Sequence, residues 1–246
     1  VNVSWFSAGV SSAVATKLVI DEIDEIIYTH IDDQHEDTMR FVRDCEQWFG
    51  KPITILQSPA MNVENAIRLK GVIRMKRFAP CTQILKQRVR KEWEEDRHGF
   101  DLTYFWGMDA KETARLDGLR ESMPNQKHRC PLIEKGMSKE EAHEILRASG
   151  IRRPAMYELG YHNNNCIGCV KGSKGYWNKI RVDFPEVFAS RAKLERFIGA
   201  ACIKEGVKKG QKGKVIYLDE LNPEAGRHEC PIVDDCGIMC ELQRIE

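Results

Sequence analysis

The chain has 246 residues, 42% hydrophobic and 30% charged, which suffices for one large domain or two small ones and excludes collagen, a coiled coil or a disordered chain. Its 38 Lys and Arg against 37 Asp and Glu leave a formal charge of +1, so no global field draws in nucleic acid or a membrane and electrostatic steering must come from local patches. Nine cysteines are odd in number and too sparse for a disulfide scaffold, and Cys166-Ile167-Gly168-Cys169 among them suits metal or thiol chemistry in a reducing cytoplasm.

Residues 1–16 are uncharged but lack the basic start and continuous apolar core of a signal peptide. Asn2, Ser4, Ser7, Ser11 and Ser12 make them too polar for a membrane span. A soluble cytoplasmic protein with no membrane contact is expected. Residues 1–6 read as a β-strand, 7–9 as a turn, and 11–21 as a helix with Val10, Ala13, Val14 and Leu18 at helical spacing. Residues 23–31 hold a second apolar run. Helix 37–49 presents Phe41, Cys45, Trp48 and Phe49 on one face, and residues 52–56 make a third strand. A long basic helical segment precedes a fourth strand at 102–106, and helices follow at 111–120 and 138–148. This alternation predicts an α/β fold, a mostly parallel sheet flanked by helices with ligands at the carboxyl ends of its strands.

Beyond Pro154 the strand signals fade. Residues 160–175 are rich in Asn, Gly, Cys and Lys, and the Gly/Lys run 205–214 reads as an exposed loop. The tail from Asn222 holds Cys230, Cys236 and Cys240 with little periodicity. The expected organisation is an α/β domain over 1–190, with residues 191–246 as a helix, basic loop and cysteine-rich appendage packed on it.

Three features carry candidate chemistry. In Phe6-Ser7-Ala8-Gly9-Val10-Ser11-Ser12, small residues lie between a strand and a helix start, where backbone N–H groups, the helix dipole and the hydroxyls of Ser7, Ser11 and Ser12 favour an anion. An ordinary strand-to-helix turn with a Ser cap is the competing reading. Residues 68–91 carry Arg68, Lys70, Arg74, Lys76, Arg77, Lys86, Arg88, Arg90 and Lys91 without an acidic residue. Such a run serves as a solvated helix face, an oxyanion wall or a track for a nucleic-acid backbone. The CxxC, preceded by Asn163-Asn164-Asn165, can aim two thiolates at an iron–sulfur cluster, at zinc, or at each other as a redox dithiol. Cys45 and Cys202 lie on apolar helix faces and read as buried structural thiols.

The first loop resembles the PP-loop, Ser-Gly-Gly-x-Asp-Ser, of the adenine nucleotide α-hydrolase group, which includes ATP pyrophosphatases and the sulfonucleotide (APS/PAPS) reductases. Ala8 replaces a Gly and Ser11 the Asp. Ile31-Asp32-Asp33 is similar to the group's acidic turn, and Pro80-Cys81-Thr82 with Lys86 and Arg88 to its cysteine with downstream basic residues. Trp106-Gly107 with Glu112 and Arg115 resembles its fourth-strand block, although Asp109 departs from the usual Arg; Cys130-Pro131-Leu132-Ile133 and Gly160-Tyr161 through Cys169 follow in the same order. The resemblance covers residues 1 to about 190.

That resemblance implies a sulfonucleotide reductase-like enzyme of sulfur metabolism. Ser7, Ala8, Gly9, Ser11, Ser12, Asp32 and Gly107 would line the nucleotide site, and Lys86, Arg88 and Arg115 would hold sulfate or phosphate. Cys81, Cys166 and Cys169 would bind a 4Fe-4S cluster, with zinc as the alternative and Cys240 or Cys130 among the candidates for fourth ligand. Asp235-Cys236-Gly237-Ile238-Met239 is similar to the reductases' Glu-Cys-Gly-Leu/Ile-His, making Cys236 the nucleophile and thioredoxin or glutathione the reductant. One alternative is an ATP pyrophosphatase modifying a nucleoside or nucleic acid, which would need Mg²⁺; another is a non-catalytic zinc module binding nucleotide or nucleic acid through residues 68–91.

Overall fold

The computed structural model describes residues 1–74, 79–97, 99–205 and 214–227. Cys230, Cys236, Cys240, Lys76 and Arg77 lie outside them. Strand β1 (Asn2–Phe6) is followed by helix α1 (Val10–Leu18) and a 3₁₀ turn, Ile20–Glu22. Then come β2 (Glu25–His30), α2 (Asp37–Phe49), β3 (Ile53–Gln57) and α3 (Val63–Lys70). The basic segment forms a composite helix: α4 (Pro80–Thr82), a π-helical turn at Gln83–Gln87, and α5 (Arg88–Glu95). Strand β4 (Thr103–Phe105) leads to α6 (Thr113–Ser122), β5 (Lys127–Arg129), α7 (Pro131–Glu134) and α8 (Lys139–Ala148). The last third holds α9 (Ala155–Glu158), α10 (Lys174–Asp183), α11 (Pro185–Ile198), β6 (Ile203–Glu205) and β7 (Lys214–Ile216).

The five-stranded sheet runs β3-β2-β1-β4-β5 with every pairing parallel, so the expected α/β architecture is present. Its order reverses between β1 and β4, where loops leave in opposite directions and open a crevice at the carboxyl ends. Alternation along β1 sends Phe6 to a core of α1, α2 and α8 residues, including Val14, Phe41, Phe49 and Leu146. Val3 joins the opposite core with Tyr104, Trp106 and Leu119, against which Trp5 packs edge-on to Trp93 at 5.5 Å between ring centroids. A third cluster joins α3, the composite helix, α10 and α11, reaching from Ile31 to Leu221. Helix α11 crosses position 190, and residues on both sides of that position share this third core.

Two elements depart from the sequence reading. Lys127-His128-Arg129 has no strand-like composition, yet it pairs with β4, and Trp106 Nε1 donates to His128 Nδ1 at 3.1 Å. Cross-strand bonding overrides propensity there. The run expected as a loop at 205–214 begins and ends in an antiparallel pair, with Ile203 opposite Ile216 and Glu205 opposite Lys214. Among the described residues no helix is long and apolar enough to cross a membrane.

Asp37, in the first turn of α2, fastens the segment that leads to α9. Its carboxylate accepts from Arg40 Nε and Nη2 at 2.7 Å, from Arg152 Nη2 at 3.0 Å and from the Ala155 N–H at 2.9 Å. The Arg40 hydrogen bonds foremost, then the Ala155 N–H, hold its pKa below the ordinary 3.8. A lowered carboxyl contributes stability above its unfolded-state pKa and loses it as pH falls through the folded value. Asp37→Asn should therefore cost about 1.5–3 kcal/mol at neutral pH and flatten the acid limb below pH 4 in urea titrations; an unchanged acid limb would show that another carboxylate governs it.

Candidate functional site

The crevice at the strand-order reversal is a cleft of about 1160 Å³, counted out to its solvent mouth. Strand β1, the loop after it and the first turn of α1 supply Trp5, Ser7, Gly9, Ser11 and Ser12, and the composite helix supplies Lys86, Gln87 and Arg90. Trp106 and Gly107 follow β4, Tyr157 lies on α9, and Asn163, Asn164 and Asn165 come from the loop before the CxxC, whose first residue, Cys166, also lines the cleft. No carboxylate stands among the described lining residues.

The geometry of the loop after β1 suits an anion. Gly9 caps α1 without a side chain, and the first turn has no acidic residue, leaving the positive end of the helix dipole facing the cleft. Ser12 Oγ accepts from the Ser7 N–H at 3.2 Å and from Ser7 Oγ at 3.0 Å, and donates to the Gly9 carbonyl at 2.9 Å. Tyr157 Oη accepts from the Val10 N–H at 3.3 Å. Ala8 sits at φ +57°, a left-handed conformation that costs an L-residue roughly 1–2 kcal/mol. Asn164 Nδ2 helps hold it there by donating to the Ala8 carbonyl at 2.8 Å and to Thr38 Oγ1 at 3.2 Å. A glycine would meet the same backbone demand without that cost.

Gly107 permits the closest approach in the site. A Cβ there would stand 2.3 Å from Ser12 Cα and 2.6 Å from Ser12 N, so only a bare backbone lets the end of β4 meet the first turn of α1. On the facing wall, the π-helical turn Gln83–Gln87 inserts an extra residue, a device frequent at functional sites. It precedes Arg90, so that Lys86, Gln87 and Arg90 share the cleft.

Cys81, Cys166 and Cys169 line one small cavity with Thr82, Lys86 and Val170, and Lys86 and Cys166 border both this cavity and the cleft. Tyr176 Oη shapes the CxxC, accepting from the Cys169 N–H at 2.9 Å and donating to the Cys166 carbonyl at 3.3 Å. The donor chemistry fits a thiolate-bound metal. Among the described residues, no group of three His, Cys, Asp or Glu side chains stands close enough to hold one.

Other expected site residues sit elsewhere. Asp32 is outside the cleft, in a groove with Asp33 and Asn62, where its Oδ1 accepts from Gln57 Nε2 at 2.6 Å. Arg88 points to solvent, its side chain 69% exposed and paired with Glu92 at 2.7 Å. Helical phase explains this, since Arg88 is two residues from either cleft-facing cation. Arg115 is ion-paired with Glu112 and does not line the cleft. Cys130 belongs to the Trp106–Leu119 core, apart from the other three cysteines, and burial foremost, then Glu134, pushes its thiol up to about 12. Cys45 and Cys202 are buried, and burial raises both thiols. The basic run is divided: Arg68 pairs with Glu64 and stacks on Phe197, Arg88 pairs outward, and Lys86 and Arg90 face the cleft. Sequence reasoning missed Trp5, Gln87, Tyr157 and Asn164. The Asn run was the signal for the last; the others carry no motif.

Gly107→Ala should lower stability by about 1–3 kcal/mol and, by shifting the α1 turn, weaken the binding of inorganic phosphate to the loop after β1 roughly tenfold. Urea unfolding and calorimetric phosphate titration would show both; an unchanged phosphate affinity would separate anion binding from the Gly107 contact.

No protein-family model matches the chain, and no curated protein matches it. Among solved structures it is similar to the phosphoadenylyl-sulfate (PAPS) reductase of Candida auris in its phosphate complex, with 10% identity and a TM-score of 0.47 over 68% of this chain and 81% of that one.

Proposed function

We propose that the chain is a sulfonucleotide reductase-like enzyme that binds an adenylyl sulfate, with or without a 3′-phosphate, in the cleft between β1 and β4. The observation that carries this reading is one cleft joining the Ser7–Ser12 cradle, the Lys86 and Arg90 cations and the Cys166 thiol, with no carboxylate among its described lining residues. The helix end and Ser hydroxyls suit the nucleotide's phosphate. Lys86 and Arg90 suit the charge at its sulfate end.

In the proposed reaction a cysteine thiolate attacks the sulfate sulfur. An S–S bond forms to the cysteine, the S–O bond to the nucleotide breaks, and the electron pair leaves with AMP or its 3′-phosphate derivative. Thioredoxin or glutathione then supplies the thiols that release sulfite and are oxidised to a disulfide. Cys236 is the proposed nucleophile. The described Cys45, Cys130 and Cys202 are unsuited, because burial keeps them protonated. We also propose that Cys81, Cys166 and Cys169, which line one cavity beside the cleft but do not stand as a ligand group in this structure, would close on a 4Fe-4S cluster or zinc as thiolate ligands; no step above is routed through that group, which would supply structural and electrostatic support.

Anaerobic incubation with adenylyl sulfate or its 3′-phosphate derivative, without reductant, should add one SO₃ group to the Cys236 peptide by mass spectrometry. Cys236→Ala should abolish that adduct and keep AMP binding. Pyrophosphate release from ATP with no adduct from either sulfonucleotide would overturn the reading in favour of ATP-dependent modification. For the metal assignment, Cys166→Ser should lower iron or zinc content by at least about half, and full retention would remove the CxxC from the site.

A further inference from the structure

Strand β5 pairs with β4 although Lys127-His128-Arg129 lacks strand-like composition, and its middle residue gives that pairing a purpose. Trp106 follows β4 and lines the cleft. Residues of β5 hold it twice: its backbone N–H donates to the Arg129 carbonyl at 3.0 Å, and its Nε1 donates to His128 Nδ1 at 3.1 Å. The indole and imidazole rings stack with their planes 26° apart. Trp106 leads directly into Gly107, whose backbone meets the first turn of α1 at Ser12. A shift of Trp106 is passed to that contact across a single peptide bond.

The protonation state of His128 follows from its two partners. An indole N–H can only donate, so Nδ1 is the accepting, unprotonated nitrogen. Nε2 stands 2.9 Å from the Met123 carbonyl, which can only accept, so Nε2 carries the proton. That neutral tautomer satisfies both neighbours. A second proton would set an N–H at Nδ1 against the indole N–H and break the bond to Trp106. Both side chains are 8% exposed, which leaves little water to replace it.

Several titratable and charged groups surround the pair. Tyr104 of β4 stands edge-on to both rings, and its Oη donates to Glu94 of α5, which is ion-paired with Arg90. Burial foremost, then the bond to Glu94, raises that hydroxyl well above its ordinary range. Cys130 follows β5 in the same core as Trp106 and Tyr104. Burial foremost, then Glu134 of α7, pushes its thiol up to about 12, with Arg120 and Arg115 of α6 opposing. Neither Tyr104 nor Cys130 changes charge between pH 5 and 8, and the arginines stay charged throughout. Histidine is the side chain whose charge change ordinarily falls in that window.

We propose that His128 is a positioning residue for the cleft. As the neutral Nε2–H tautomer it fixes Trp106, and through Trp106 the approach of Gly107 to α1, so that binding of an anionic nucleotide requires an uncharged His128. The nucleotide used to test this rests on the sulfonucleotide reading above.

The test combines ¹⁵N-indole NMR with calorimetric titration of adenylyl sulfate, both on the full chain between pH 5 and 8. Adenylyl sulfate keeps its charge over this range, so ligand protonation does not contribute. The Trp106 indole resonance, assigned with Trp106→Phe, should move in one step as pH falls, and adenylyl sulfate should bind about tenfold more weakly across the same step. His128→Asn, whose Oδ1 can accept from the indole without titrating, should stay within about threefold of the neutral-pH affinity and lose the pH step. His128→Phe removes the acceptor and should bind about tenfold more weakly at every pH. An indole resonance that does not move, one that moves while wild-type affinity stays constant, or a wild-type pH step retained in His128→Asn overturns the positioning role. Where thermal unfolding shows that His128→Phe has lost its fold, the comparison of wild type with His128→Asn decides. Failure of wild type to bind adenylyl sulfate at any pH overturns the sulfonucleotide reading and the positioning role together, whereas binding without the pH step overturns the positioning role alone.

Discussion

The cleft depends on one contact between backbones, Gly107 against the first turn of α1 at Ser12. Parallel strands fix where β1 and β4 end, through the register that sets Ser4 beside Phe105. Their loops could still diverge after those ends. The absent Cβ lets them touch, so the helix dipole, the Ser hydroxyls and the strand ends address the same volume. A doubly wound sheet supplies the crevice; this approach sets the end of β4 against the first turn of α1 on its floor.

Distant parts of the chain hold that arrangement in place. Asn164 reaches back to Ala8 and Thr38, Tyr157 to Val10, and Asp37 to Arg152 and Ala155. Near the CxxC, Ile167 N–H bonds to the Asp33 carbonyl at 2.8 Å, and Arg191 is ion-paired with Asp33. Asp33 is thus a scaffold for the cysteine loop, its Oδ2 also accepting from the Val63 N–H at 2.6 Å. These buried polar bonds are individually worth about 1 kcal/mol. Their effect on the site is positional: they set the cysteine loop and the anion loop against each other.

How much of this was legible in the sequence follows from the range of each signal. Strands β1 to β3 and helix α2 carry strong local periodicity, and the structure has them within two residues. Strand β5 was invisible because its pairing partners, not its own Lys-His-Arg, make it a strand. Hairpin β6–β7 was hidden by the Gly/Lys run between its strands. In the site, residues of the Ser loop, Gly107 and Cys166 could be read because motif spacing encodes local geometry. Arg88 and Arg90 could not be told apart, since both are basic and the π-helical turn before them shifts the helical phase. Trp5 and Gln87 have no motif at all, and only their burial beside the cleft gives them meaning.

The charge distribution across the cleft bears on which chemistry the fold can support. Lys86 and Arg90 stand on one wall, the α1 helix end on another, and the described lining has no carboxylate between them. A polyphosphate split by water or an acceptor develops charge that is commonly met by a divalent cation, itself held by carboxylates. Thiol attack on a sulfate makes a different demand: the leaving group is a single phosphate monoester, which a helix end and hydroxyls can hold, and the attacking thiolate is favoured by nearby cations. Ser11 brings a hydroxyl and no charge to the cleft, so the loop after β1 agrees with the rest of the described lining, and together they favour an anionic ligand over a cation held by carboxylates.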